Sequence, residues 1–159
     1  MNMNKSYLKD ILKNENLNLT DNPRGTDKGD KKSYIDKFYE SQFALFREKP
    51  VRLMEIGFRH GASLALWSSY FSSGKIIGLD NLSDACIQEN LSINHDWINR
   101  ENVETIIGDA YSQSFSDALR GKFDIIIDDG PHSIKSQKIS IGLYLKKLNE
   151  GGLFIVEDI

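Results

Sequence analysis

The sequence predicts an α/β fold: a doubly wound parallel sheet of five strands with helices on both faces. Three observations predict it. After Pro50, five short apolar runs alternate strictly with helical stretches, a pattern that implies parallel strands joined by right-handed crossovers. The runs Phe-Asp-Ile-Ile-Ile at 123–127 and Gly-Leu-Phe-Ile-Val at 152–156 are short, β-branched and bounded by turn residues, so they read as buried parallel strands. Finally, every run ends on acid: Glu55, Asp80, Asp109, the pair Asp128-Asp129 and the pair Glu157-Asp158. In open α/β sheets ligands bind outside the carboxyl ends of the strands, so these carboxylates converge on one crevice.

In order along the chain, Tyr7, Leu8, Ile11 and Leu12 have helical spacing in an Asn- and Lys-rich segment, which predicts an appendage helix and loop over 1–24 ahead of a domain over 25–159. The polar stretch from Asn22 to Asp30 carries dense turn chemistry. Tyr34, Ile35, Phe38, Tyr39, Phe43 and Phe46 then recur at helical spacing and read as a core stripe. Strands are expected at 51–56, 76–79, 103–107, 123–127 and 153–156. The intervening helices are expected at 62–71, about 84–97, 112–119 and 133–148. The 159 residues suit one domain with a sizeable core. A net charge of −3 argues against a nucleic-acid backbone as partner. No apolar run approaches the roughly 20 residues that span a membrane, and cytoplasmic location is the default. The single cysteine, Cys86, has no partner for an internal disulfide and reads as a small half-buried side chain.

The strand ends suggest chemistry. Gly57 and Gly61 flank the turn after the first strand and let the backbone approach a ligand, but Arg59 stands where a dinucleotide fingerprint wants its second glycine. Asp80 follows Glu55 by 25 residues, near the place where a doubly wound nucleoside site puts the carboxylate that accepts from ribose hydroxyls. Asp109 is placed to accept from an adenine amino group. Oxygen ligands from Asp128-Asp129 and Glu157-Asp158 suit Mg²⁺ or a similar hard divalent ion, with His132 beside it as a general base. A nucleoside cofactor without phosphates, plus a metal, fits this set better than a dinucleotide, and S-adenosylmethionine is such a cofactor.

At this point the chain resembles the class I S-adenosylmethionine-dependent methyltransferases, and among them the metal-dependent macrolide-sugar O-methyltransferases. The resemblance runs from about Gly25 to the last residue. It rests on Gly-Thr-Asp-Lys at 25–28 with Tyr34, Glu-Ile-Gly at 55–57, Gly-Ala-Ser-Leu at 61–64 with Trp67, and Gly-Leu-Asp at 78–80. Gly-Asp at 108–109, Phe-Asp-Ile-Ile-Ile-Asp-Asp-Gly at 123–130 with His132, and Gly-Gly-Leu-Phe-Ile-Val-Glu-Asp at 151–158 complete it. The resemblance implies a Rossmann-like fold with its sheet ordered 3-2-1-4-5, with Asp129, Glu157 and Asp158 as metal ligands and His132 as the base. Glu55, Gly57, Gly61, Ser63, Asp80, Asp109 and Asp128 would form the cofactor site. Pro131 departs from the serine usual in the family.

The expected reaction is in-line transfer of a methyl group to a hydroxyl of a sugar or other polyhydroxy small molecule. The chain is short ahead of Gly25, so the auxiliary N-terminal domain of the antibiotic enzymes is expected to be absent. It stops at Ile159, just after the fifth strand, where a class I methyltransferase continues with antiparallel strands; the expectation is either a truncated chain or a fifth strand left as an edge that a second copy would cover in a homodimer. Three alternatives stand beside the enzyme: a non-catalytic S-adenosylmethionine-binding module or truncated inactive methyltransferase, a cephalosporin-hydroxylase-like enzyme sharing Asp-Asp-Gly-x-His, and an NAD-dependent enzyme, set back by the incomplete glycine fingerprint.

Overall fold

The computed structural model describes residues 7–83 and 95–159. Its strands are β1 (Arg52–Ile56), β2 (Lys75–Asp80), β3 (Val103–Ile107), β4 (Phe123–Asp128) and β5 (Leu148–Val156). They form one sheet in the order β3-β2-β1-β4-β5, and every pairing is parallel. The helices are α1 (Tyr7–Asn14), α2 (a π-helical turn, Ile35–Tyr39, running into Glu40–Phe43), α3 (Ala62–Tyr70), α4 (His95–Ile98), α5 (Gln113–Ala118) and α6 (Ile134–Tyr144). A 3₁₀ turn, Leu145–Lys147, joins α6 to β5. Ser112 and Ser133 cap α5 and α6 by accepting from the Phe115 and Ser136 amides, which explains why each helix starts one residue later than its serine. The expected helix at 84–97 lies outside the described residues except for α4, as does Cys86.

Successive residues of a strand face opposite sides of the sheet, and the core divides accordingly. Leu53, Ile76 and Ile125 join one cluster with Trp67 and Phe71, while their neighbours Met54, Ile77 and Ile126 join a second with Leu143 and Tyr144. Of the aromatic stripe, Ile35, Tyr39, Phe43 and Phe46 are buried in the first cluster, whereas Phe38 faces solvent. Leu8 and Leu12 of α1 pack into that same cluster. No helix among the described residues is long and apolar enough to cross a membrane.

Strand β5 departs from expectation in two ways. It begins at Leu148 rather than near Leu153, with an irregularity where Phe123 pairs with Leu148 and Ile125 with Leu153. Its residues 152–156 are half-buried rather than buried, because an edge strand has a neighbour on one side only.

Candidate functional site

A cavity of about 510 Å³ opens at the carboxyl edge of the sheet. Gly57 leads the chain out of β1 with φ +86°, and a Cβ there would lie 2.2 Å from the Asp129 carbonyl oxygen, so only glycine lets the ends of β1 and β4 meet. Gly57, Ser63 at the start of α3, Asp80 and Asp109 all border the cavity. Asp80 is held by two backbone amides, Arg59 at 3.0 Å and Leu82 at 2.8 Å, and Asp109 accepts from the Tyr111 amide at 2.9 Å. The N-terminal loop adds Gly25, Thr26, Asp27 and Lys31 to the lining.

Three other candidate cofactor residues lie behind this surface. Gly61 (φ +87°) sets the turn into α3 against Ile98 and does not border the cavity. Glu55 is fully buried beneath the floor, where its Oε2 accepts from Ser63 Oγ at 2.7 Å and Trp67 Nε1 at 3.2 Å. Asp128 is buried on the α6 side, accepting from Tyr111 Oη at 2.7 Å, from Ser140 Oγ and from the Gly130 amide at 3.3 Å.

Beside the cofactor-sized space, Asp129, His132 and Asp158 bring one ligand atom each to within 4.8 Å of one another. His132 Nε2 stands 3.8 Å from Asp129 Oδ1 and 3.7 Å from Asp158 Oδ2. The second oxygen of each carboxylate is already engaged. Asp129 Oδ2 accepts from Lys28 Nζ at 2.5 Å, and Asp158 Oδ1 accepts from Lys32 Nζ and Tyr34 Oη, both at 2.5 Å. Both His132 (φ +57°) and Asp158 (φ +54°) have left-handed backbone, a conformation that non-glycine residues hold only where the surroundings impose it.

Glu157, the third candidate ligand, lies deeper. Its carboxylate accepts from Lys28 Nζ at 3.0 Å and from Tyr39 Oη, and it does not border the cavity. Lys28 also stands 3.5 Å from Glu55 Oε1, so one buried ammonium faces carboxylates from β1, β4 and β5. Burial works against the Lys28 charge, but Asp129, Glu157 and Glu55 outweigh it and hold its pKa well above the ordinary value. Burial likewise pushes Glu55 up to about 7 and raises Glu157, with Lys28 opposing both shifts. Hydrogen bonds from Lys32 and Tyr34 hold Asp158 below the usual carboxylate range.

Four of these partners received no role from the sequence: Lys28, Lys32, Tyr34 and Tyr39. The signal for Lys28 was its place in Gly-Thr-Asp-Lys, and Tyr39 was concealed by its membership of the core stripe.

A parallel sheet in this order, with a glycine turn after β1 and acids along its carboxyl edge, defines a doubly wound, Rossmann-like α/β domain. Residues 54–159 match the family described as a methyltransferase domain, and the chain belongs to that family. It is similar to the mycinamicin VI 2''-O-methyltransferase of Micromonospora griseorubida, 32% identical over 130 residues that cover 76% of this chain and 30% of that protein. It is also similar to a rhamnosyl-tetracenomycin-C 3'-O-methyltransferase of Streptomyces olivaceus, 30% identical over 139 residues, covering 79% of this chain and 32% of the relative. Among solved structures, the MycE methyltransferase of the mycinamycin pathway, in complex with Mg and SAH, superposes with a TM-score of 0.61 at 31% identity. That match covers 80% of this chain and 32% of MycE. The chain thus spans about a third of the length of these relatives.

Proposed function

We propose that this chain is the catalytic part of an S-adenosylmethionine-dependent, divalent-metal-assisted O-methyltransferase whose acceptor is a hydroxyl of a sugar or other polyhydroxy small molecule. The observation that carries the reading is the continuity of one cavity from Asp80 and Asp109, the nucleoside side, to Asp129, His132 and Asp158, the acidic side. The MycE complex with Mg, SAH and mycinamycin VI supports the same combination of cofactor, metal and small-molecule acceptor.

Within this reading Gly57 and Ser63 give the cofactor close backbone and a hydroxyl, while Asp80 and Asp109 turn carboxylates toward its nucleoside. The chemistry of the donor set fits a hard divalent ion, since Asp129 and Asp158 each leave one oxygen toward His132. Glu157 is the third carboxylate of the set and keeps lone pairs beyond those used by Lys28 and Tyr39. An ion held there would lower the pKa of an acceptor hydroxyl and fix its direction. His132 then takes the hydroxyl proton on Nε2, which has no direct hydrogen bond to either neighbouring carboxylate. Alignment of the acceptor oxygen with the methyl carbon supplies much of the rate.

Calorimetric titration with S-adenosylmethionine, with and without Mg²⁺ and with NAD as control, tests the cofactor assignment. Micromolar binding of the methyl donor alone is expected; binding of NAD instead would overturn it. His132→Ala should lower turnover by about 10²–10⁴-fold with cofactor affinity near wild type. Lost cofactor binding in that variant would remove His132 from the role of base.

A further inference from the structure

Lys28 is the largest charged side chain shut away among the described residues, with 1% of its surface exposed, and the proposed reaction gives it no task. Its ammonium donates to carboxylates from two strand ends, Asp129 and Glu157, and faces a third on Glu55 at 3.5 Å. Stability alone does not call for such an arrangement, because well-packed apolar side chains of similar volume do as well or better. The geometry gives Lys28 two effects at once. By taking Asp129 Oδ2 it leaves Oδ1 toward His132 Nε2, 3.8 Å away. It also ties down, through Asp129 and Glu157, the loop whose Thr26, Asp27 and Lys31 border the same cavity as Asp80.

We propose that Lys28 is a positioning residue: it orients the Asp129 carboxylate for a divalent ion and anchors the loop that closes one side of the cofactor cleft. This rests on the methyltransferase reading above. Outer partners that hold a ligand's second atom typically contribute 10–100-fold to metal affinity, and Asp129 is held in this way through Lys28.

The test is a double-mutant cycle on Lys28→Met and Asp129→Asn, read by Mn²⁺ titration followed by electron paramagnetic resonance, with S-adenosylhomocysteine affinity measured by calorimetry alongside. Lys28→Met is expected to weaken Mn²⁺ binding by about 10–100-fold. If Lys28 acts through Asp129, the double variant binds Mn²⁺ no more weakly than Asp129→Asn alone. A residue that merely stabilised the fold would give additive losses instead. Additive losses, or unchanged Mn²⁺ affinity in Lys28→Met, overturn the proposal. Should Lys28→Met fail to fold, the double variant, which loses an anion along with the cation, is compared directly with Asp129→Asn. Equal affinity supports the proposal and further loss overturns it. Wild-type protein that binds no S-adenosylhomocysteine sinks the methyltransferase reading and this inference with it. Wild-type binding with an unaffected Lys28→Met sinks the inference alone.

Discussion

The acidic pairs that end β4 and β5 are near twins in sequence, yet each divides its two carboxylates between different environments. Asp128 and Glu157 are the inner members, at 2% and 5% exposure, and the hydrogen bonds around each come from the protein itself. Asp129 and Asp158 are the outer members, with side chains 20% and 23% exposed, and each keeps one oxygen toward His132. At β4 the division follows from strand geometry, since neighbouring residues face opposite sides of the sheet. At β5 it needs the left-handed backbone of Asp158, which ends the extended geometry beside His132. Asp128 therefore serves the fold, whereas on the proposed reading Asp129 and Asp158 serve the cleft and Glu157, though buried, completes their donor set; Asp128 and the outer pair should fail differently when altered.

The largest expected effect is on the inner side. Lys28→Met strands the buried carboxylates of Glu55 and Glu157 without their cation, and breaking a buried pair in this way costs about 3–5 kcal/mol. For a chain of this length that lowers the melting temperature by roughly 10 °C. A calorimetric scan that finds less than a quarter of that shift would mean the inner carboxylates do not depend on Lys28.

Next in size is a pH effect from the same cluster. Burial raises the Glu55 pKa from 4.5 to about 7 in the folded protein, so between those values the folded state holds a proton that the unfolded state has lost. The stability this contributes is complete below about pH 4.5 and gone above about pH 7. Wild-type protein should thus lose up to about 3 kcal/mol relative to Glu55→Gln as the pH rises through that window. Asp158 is shifted the opposite way, so its contribution is lost only as the pH falls below the ordinary carboxylate range. Urea denaturation at pH 5 and pH 8 reads the difference; parallel curves for the two proteins would contradict the assignment.

Much of this architecture was legible in the sequence, for physical reasons that also mark where legibility stopped. Runs such as Phe-Asp-Ile-Ile-Ile expose their strand character because a central parallel strand is apolar on both faces. The acids stand out because they end every strand. Strand β5 was read too short because Asn149-Glu150-Gly151-Gly152 has turn chemistry, although it lies within the strand. Lys28, by contrast, meets Asp129 and Glu157 across 101 and 129 residues of sequence, and no local period reports a contact of that range. Glu55 was recognisable as the acid at the end of β1, but its position beneath the floor depends on Ser63, Trp67 and Lys28 arriving together.

Asp128→Asn should show the inner behaviour on a smaller scale. The amide keeps an acceptor but puts a donor beside Tyr111 or Ser140, so one buried hydrogen bond fails at a cost of about 1–3 kcal/mol. Mn²⁺ affinity should remain close to wild type, because Asp128 borders neither the cavity nor the group around His132. A large loss of Mn²⁺ binding in a folded Asp128→Asn protein would erase the distinction between inner and outer members.

Asp158→Asn gives the smallest expected change in stability and the sharpest view of the outer class. Its ion pair with Lys32 is partly exposed, where such pairs contribute about 0–1 kcal/mol, and the amide oxygen still accepts from Tyr34. The melting temperature should therefore move by no more than a few degrees. Mn²⁺ affinity, however, should fall steeply, because the oxygen facing His132 at 3.7 Å belongs to a group that has lost its charge. That combination, a small thermal shift with a large loss of metal binding, is the reverse of the pattern expected for Asp128→Asn. If the two variants instead lose stability and metal affinity in the same proportion, the carboxylates act as one network, and the division of labour between the buried and open halves of each pair falls.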